Sequence, residues 1–303
     1  MSKQAAMSQP DPNHLLARLT RLTSTISGLD ASLMLAQYSS PFVIAILLRL
    51  ARFRADHPRV RMTIAAKREV VSDRGMGLAR LAEGWGRASG GIADARVIMR
   101  AFGLLPVIQG LLKMYPDPTE SLLSFYKRRK VDKDKLLPTL KLLSLLAYYP
   151  LEHIYWLANK GVLDISVRSA DIAMLWGCRF WALYVLLEIY RLRQTYLSLL
   201  SLTRALKSSK SSVTIAEAEG YELQDPSTSN VPPIADSRML EKKAVRKGWV
   251  AWKDDVLVNL GYAPLTIHWS TTAGLWSGPF HTALFGTTAA IGQLVIEWKK
   301  GDT

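Results

Sequence analysis

Cysteine is nearly absent from this chain, which has Cys178 alone among 303 residues. A single cysteine excludes an internal disulfide framework and any zinc site built on a pair of cysteines. The five histidines have no metal-ligand spacing. The sequence also lacks a phosphate-binding loop, a complete dinucleotide fingerprint and a Gly-x-Ser-x-Gly elbow. We therefore expect neither an enzyme nor a bound metal or cofactor.

Charge is missing from a long tract near the carboxyl end. The 41 residues from Val256 to Ile296 contain no Asp, Glu, Lys or Arg. A bilayer core of about 30 Å needs about 20 apolar helical residues. Pro264 and Pro279 divide the tract, because proline lacks an amide proton and clashes with the preceding turn. The sequence predicts a transmembrane helix at 279–296, whose small residues allow close helix packing.

A second apolar run predicts another crossing at 172–190. Arg179 interrupts this run and Glu188 lies near its end. One arginine near the middle costs about 2.5–3.5 kcal/mol on insertion scales, which the surrounding Leu, Val and Trp can offset. A third run, 31–48, contains several polar residues. We interpret it as a buried or interfacial helix pair broken near Pro41, in preference to a membrane crossing.

Basic residues dominate the first part of the chain. Residues 1–171 carry 25 basic and 14 acidic side chains, against 14 and 11 in the remainder. Apolar side chains recur there at helical spacing beside arginines, a pattern typical of helices that lie in a membrane interface. One such face follows Pro12, with Leu15, Leu19, Leu22 and Ile26. The strongest membrane-remodelling candidates lie further along, at Leu78, Leu81, Trp85, Arg96, Met99, Arg100 and Phe102.

Two further segments are polar. The basic cluster at 127–130 is diluted by nearby aspartates and has no nucleic-acid motif beside it, so we expect a solvated loop or contact with acidic lipid. Residues 204–237 are rich in Ser, Pro and charge, a composition that cannot bury enough surface to fold alone.

Together these features predict an all-α integral membrane protein with amphipathic N-terminal helices and about two transmembrane helices. The predicted organisation is a basic helical region at 1–171, a crossing at 172–190, a polar linker at 191–255 with disorder over 204–237, and a hydrophobic C-terminal region at 256–303.

Several segments resemble the peroxisomal biogenesis factor 11 (peroxin-11) family, particularly its fungal C-type members. The run from Tyr149 to Trp156, YPLEHIYW, is similar to the family's Pro-x-Glu-His-x-x-Trp segment, which places Pro150, Glu152, His153 and Trp156 in the motif. The runs at 100–104, 175–181 and 259–269 resemble its amphipathic, first membrane and C-terminal segments.

The resemblance implies a peroxisomal membrane protein with both termini in the cytosol. Its expected role is to remodel and elongate the membrane and to promote peroxisome proliferation and fission. The expected partners are an anionic bilayer, further copies of the chain, a fission adaptor and a dynamin-type GTPase, with no nucleic acid.

Two alternatives remain. Arg179 and Glu188 in or beside a crossing also fit a membrane pore for small metabolites, because intramembrane charges often line conduits. A soluble all-helical scaffold is the third interpretation. Glu152 and His153 are the one neighbouring carboxylate–imidazole pair, and we interpret His153 as a structural helix residue that is hydrogen-bonded to a neighbour.

Overall fold

The computed structural model describes residues 12–56, 74–117, 133–218 and 234–300. Seven helices occupy most of these residues, with no strand among them, and this confirms the predicted all-α class. The helices are α1 (Pro12–Ser24), α2 (Ile26–Asp56), α3 (Arg74–Met114), α4 (Lys133–Asn159), α5 (Val167–Ala218), α6 (Ile234–Trp269) and α7 (Pro279–Lys300). Helix α1 begins at Pro12, as the sequence predicts.

Helices α2 to α7 form a closed ring. Each helix packs against the next one in the chain, and α7 packs against α2. Successive helices run in opposite directions. On the α2–α3 interface, for example, Asp30 contacts Arg96 while Ser40 contacts Trp85. The ring therefore has six antiparallel helices, and α1 leads into it at the start of α2.

Helix α2 is continuous across Pro41, so the predicted break there is wrong. Proline cannot donate to the carbonyl four residues earlier, which belongs to Gln37. The Ser89 hydroxyl of α3 donates to that carbonyl at 3.5 Å. A neighbouring helix thus satisfies the freed backbone group, as in other membrane helices that contain proline.

Helix α3 is also continuous through the glycines at 75–86, although glycine has a low helix propensity. Packing against α2 outweighs the low helix propensity of glycine. Ala82 is buried there, Gly86 lies beside Ile44, and the Trp85 indole donates to Ser40 at 3.1 Å.

The small residues of α7 allow close packing, as predicted. Its buried positions are Ala283, Gly286, Ala289, Ala290 and Gly292. A Cβ added at Gly261 of α6 would lie 2.5 Å from the Ala289 nitrogen. Ala289 and Ala290 form a core cluster with Met34, which joins α7 to α2.

Three helices are long and apolar enough to cross a membrane: α2 over Ile26–Ala55, α3 over Gly77–Met114 and α5 over Val167–Ser208. These spans indicate a membrane-embedded protein. The α2 span includes the run at 31–48, for which the sequence favoured a buried or interfacial position over a crossing. The α5 span contains the predicted crossing at 172–190. The predicted crossing at 279–296 forms α7, which is not one of the three.

The predicted polar linker is largely helical where the structure describes it. Helix α5 continues to Ala218 and α6 begins at Ile234, so only 219–233 of the segment lies outside the described residues. The helix formers Ala, Leu and Lys are frequent in 204–210, and they extend a helix that packing has already nucleated. The basic cluster at 127–130 also lies outside the described residues.

Candidate functional site: a charged cavity inside the helix ring

The ring encloses a cavity of about 690 Å³, and all six ring helices contribute to its lining. Five carboxylates and three guanidinium groups line it, together with a set of aromatic rings. Buried charge in a membrane protein is costly unless it is paired, and it often marks a functional site. The pairing of these charges between helices is therefore the main feature of the cavity.

The first charged contact joins α2 to α3. Arg96 is 5% exposed, and its guanidinium binds Asp30 through Nε at 2.7 Å and Nη2 at 3.2 Å. Its Nη1 donates to Gln37 at 2.7 Å. All three guanidinium nitrogens thus have partners on α2, which fixes the side chain inside the ring.

The second contact joins α3 to α4. Arg100 donates to Glu152 through Nε at 2.6 Å and through Nη2 at 2.8 Å, a bidentate arrangement. The Tyr148 hydroxyl donates to the same carboxylate at 2.8 Å.

Another residue of the family-like segment reaches the same helix. The Trp156 indole donates to Asp94 of α3 at 2.8 Å, and Lys160 binds the other carboxylate oxygen at 2.6 Å. Glu152 and Trp156 are four residues apart and share one helix face. In this protein they hold α4 against α3.

The remaining polar motif residue has a local structural role. His153 donates through Nδ1 to the Tyr149 carbonyl at 2.7 Å, which confirms the structural interpretation made from the sequence. Pro150 lies within α4 and is exposed.

Glu188 of α5 connects three helices. This buried carboxylate pairs with Lys141 of α4 and, at 2.6 Å, with Arg191 on its own helix. Arg191 in turn binds Asp255 of α6 at 2.8 Å. The sequence placed Glu188 in or beside a crossing as a polar residue, and its buried position agrees with that. The sequence did not predict roles for Lys141, Arg191 and Asp255.

Polar contacts also close the ring. Lys299 of α7 binds Asp254 of α6 at 2.5 Å. Ser27 at the start of α2 donates to Glu297 near the end of α7 at 3.1 Å. The beginning and the end of the ring therefore lie at the same end of the bundle, beside α1.

The predicted contact of Arg96 and Arg100 with lipid headgroups is corrected by these pairs, since both guanidinium groups are held inside the ring. Burial against Asp30 and Glu152 avoids the cost of leaving those carboxylates unpaired. The exposed side chains of α3 include Leu81, Trp85 and Phe102. Over 91–108 every exposed residue is apolar, whereas Arg80, Glu83 and Arg87 are exposed charged residues nearer the start of the helix. Leu78 and Met99 are half-buried. Over 91–108 the arrangement is polar inside and apolar outside, which is typical of a helix segment that crosses a membrane.

Arg179 does not line the cavity. Its side chain is exposed, stacks over Trp176 at 4.7 Å and donates to the Ser270 carbonyl just beyond α6 at 3.4 Å. It therefore joins α5 to the end of α6.

Helix α1 keeps the amphipathic character that the sequence predicts. Leu22 is buried, while Leu15, Leu16 and Leu19 are exposed. Arg18 stacks over Trp298 of α7 at 4.7 Å, which positions α1 against the ring. The helix has no acidic residue. An apolar surface beside arginines is thus presented at the end of the ring.

No family model matches the chain, and comparisons with curated proteins and with solved structures found no match.

Proposed function

We propose that this protein is a peroxisomal membrane protein that bends and elongates the organelle membrane and so promotes proliferation and fission. Its role is mechanical and not enzymatic. The observation that carries the proposal is α1, whose exposed leucines lie beside Arg18 and Arg21 at the end of a membrane-embedded ring. The resemblance of the YPLEHIYW segment to the peroxin-11 family supplies the organelle and the partners.

The bending mechanism follows from the placement of α1. A shallowly inserted helix expands the leaflet that it enters, and each arginine near an anionic surface contributes about 1 kcal/mol of attraction. The ring anchors the helix through Arg18 and Trp298. Self-association of many such anchored helices would concentrate the expansion on one side of the bilayer. The elongated membrane would then recruit the fission adaptor and the dynamin-type GTPase.

The same placement supports a cytosolic location for both termini. Ser27 and Glu297 are hydrogen-bonded, so the two ends of the ring lie on one side of the bundle. Arg18, Arg21, Lys299 and Lys300 lie at that end, which agrees with the preference of basic residues for the cytoplasmic side. Protease added to intact peroxisomes should remove tags at both ends of the chain. Protection of either tag would contradict the topology.

Reconstitution tests the bending itself. The full chain in anionic liposomes should form tubules visible by electron microscopy. The double variant Leu15→Ser/Leu19→Ser should reduce tubulation to the protein-free level, because it removes the exposed apolar surface of α1. Thr20→Ala/Thr23→Ala on the same helix is the matched control and should tubulate normally. Equal tubulation by the leucine variant would contradict the proposal.

A pore for small metabolites is the second candidate function, and the charged cavity favours it. Charged side chains from every ring helix face one internal space of about 690 Å³. The protein in planar bilayers would then conduct small solutes, and Glu188→Gln would change the conductance. A reconstituted protein without conductance would remove this candidate and leave membrane bending intact.

A further inference from the structure

The charges around the cavity balance one another. Asp30 pairs with Arg96, Glu152 with Arg100, and Asp255 with Arg191. The two other lining carboxylates, Glu188 and Glu297, pair with the lysines Lys141 and Lys300, neither of which lines the cavity. The cavity and its immediate partners therefore have no net charge.

This balance selects against a ligand with net charge. In a low-dielectric interior an uncompensated charge is unfavourable. A ligand whose own charges cancel would enter without that cost. The cavity thus favours a molecule with a cationic and an anionic group on the same framework.

The hydrogen-bonding groups at the Arg191–Asp255 pair match such a molecule. Arg191 uses Nε for Glu188 and Nη2 for Asp255. Neither contact involves Nη1 of Arg191 or Oδ1 of Asp255. The ion pair thus includes a donor and an acceptor that these two contacts do not use. A ligand anion can bind Nη1 while a ligand cation lies against Oδ1.

The position of this pair is that of a headgroup site. The Arg191 and Asp255 side chains are 37% and 34% exposed, whereas Glu188 next to them is buried. Asp254, beside Asp255, binds Lys299 at the end of α7, where the termini of the ring meet. The pair therefore marks the mouth of the cavity at the end of the ring that carries α1.

An apolar wall continues inward from the mouth. Trp181 precedes Arg191 by ten residues on α5, about 15 Å along the helix axis. Its indole stacks with Tyr148 and with Trp269, in both cases at 5.7 Å between ring centroids, and Tyr262 lies edge-on at 5.2 Å. These rings line the cavity. A chain of about ten carbons would extend from the mouth to this aromatic wall.

We propose that the cavity binds a single-chain zwitterionic amphiphile, with its headgroup at Arg191 and Asp255 and its chain against the aromatic wall. The volume lies within the usual range of about 300–1,000 Å³ for small-molecule sites. The site goes beyond the proposed membrane bending. If the protein tubulates liposomes but binds no amphiphile, only the proposed binding site is contradicted and the proposed membrane bending is unaffected.

Decylphosphocholine is the test ligand, and decyl phosphate and decyltrimethylammonium are its single-charge counterparts. Native mass spectrometry of the full chain in maltoside micelles should show one bound decylphosphocholine. Both counterparts should bind at least about tenfold more weakly than decylphosphocholine. Equal binding of the three compounds would overturn the proposal.

Two variants locate the site. Asp255→Asn should weaken decylphosphocholine binding by about tenfold, because the amide no longer attracts the quaternary ammonium. Asp254→Asn, at the adjacent position, is the matched control and should bind within about twofold of the unaltered chain. Thermal unfolding of both variants checks that the ring is intact. An Asp255→Asn protein that is folded and binds normally would refute the headgroup placement.

A fourth compound identifies the source of the zwitterion. Glycerophosphocholine has the same headgroup charges without an alkyl chain. If it binds much more weakly than decylphosphocholine, the ligand is lipid-like and the aromatic wall contributes, and Trp181→Leu should then weaken chain binding. If it binds equally well, the chain and aromatic-wall part of the proposal is wrong.

Discussion

Arg100 and Glu152 form a bidentate ion pair between α3 and α4, with nitrogen–oxygen distances of 2.6 and 2.8 Å. The Tyr148 hydroxyl donates to the same carboxylate, so three side chains share one buried contact. Glu152 lies in the YPLEHIYW segment of α4, so this contact gives a structural role to that segment. It holds two ring helices together beside the cavity.

Breaking this pair should destabilise the ring. Glu152→Gln leaves the Arg100 charge without its carboxylate, and removing one partner of a buried pair typically costs about 3–5 kcal/mol. Arg100→Met/Glu152→Leu removes both charges and should recover part of the loss. Denaturant titration of the free energy of unfolding in micelles measures each variant. If the loss of stability in the double variant equalled the sum of the losses in the single variants Arg100→Met and Glu152→Leu, the two residues would not be coupled.

Close packing of α6 on α7 should make Gly261 intolerant of a side chain. The Cβ of Gly261→Ala would lie 2.5 Å from the Ala289 nitrogen and the Phe285 carbonyl oxygen. Overpacking of this kind costs about 1–3 kcal/mol. Gly90→Ala on α3 is the control, since no heavy atom lies within 4 Å of its added Cβ. It should stabilise the helix by up to about 1 kcal/mol, and thermal unfolding would compare the two variants.

The contact between Ser89 and the Gln37 carbonyl should matter only while Pro41 is present. Ser89→Ala removes the donor, and a side-chain hydrogen bond between membrane helices is worth about 0.6 kcal/mol on average. In a Pro41→Ala background the backbone amide at 41 can donate to that carbonyl, so Ser89→Ala should then cost nothing. A double-mutant cycle on the free energy of unfolding tests this. The same cost in both backgrounds would refute the role of Ser89.

The turn after α6 should loosen at acidic pH. His268 accepts a hydrogen bond at Nδ1 from the Leu275 amide at 2.8 Å and stacks on Trp276. Desolvation lowers the pKa of His268 below its ordinary 6.5. His268 therefore binds a proton more readily in the unfolded turn than in the folded one. Its contribution to the stability of the turn is fully present above pH 6.5 and is lost as the pH falls through the lowered pKa.

Trp276 fluorescence between pH 7.5 and about 5 follows this change, because the indole lies against the imidazole. His268→Asn should flatten the profile, while His281→Asn is the control for the other histidine near Trp276. If only His281→Asn changed the profile, the role of His268 in the turn would be contradicted.

The sequence predicted the fold class from apolar runs, small residues and helix starts, all of which are local features. Its errors concern features that depend on a neighbouring helix. The break at Pro41 was wrong because Ser89 of α3 satisfies the freed carbonyl. The arginines of α3 were placed toward lipid because a helical period gives a face but not the identity of the helix beside it.

The cavity illustrates the same limit. Asp255 borders the neutral tract and Glu188 ends an apolar run, so both positions were visible as charges beside membrane segments. Their partners come from other helices, at separations in sequence that no local pattern encodes. A charge that borders an apolar run was the available signal, and the same reasoning applies to Asp30, which precedes the run at 31–48.

The hydrogen bond between Ser27 and Glu297 has a further consequence for the connectivity of the chain. Since the first and last ring helices are neighbours and their number is even, the circle has no intrinsic starting point. A circular permutant that joins the ends through α1 and opens between α5 and α6 would keep every helix direction and every charge pair. The order of synthesis could thus be changed while the assembled ring stays the same.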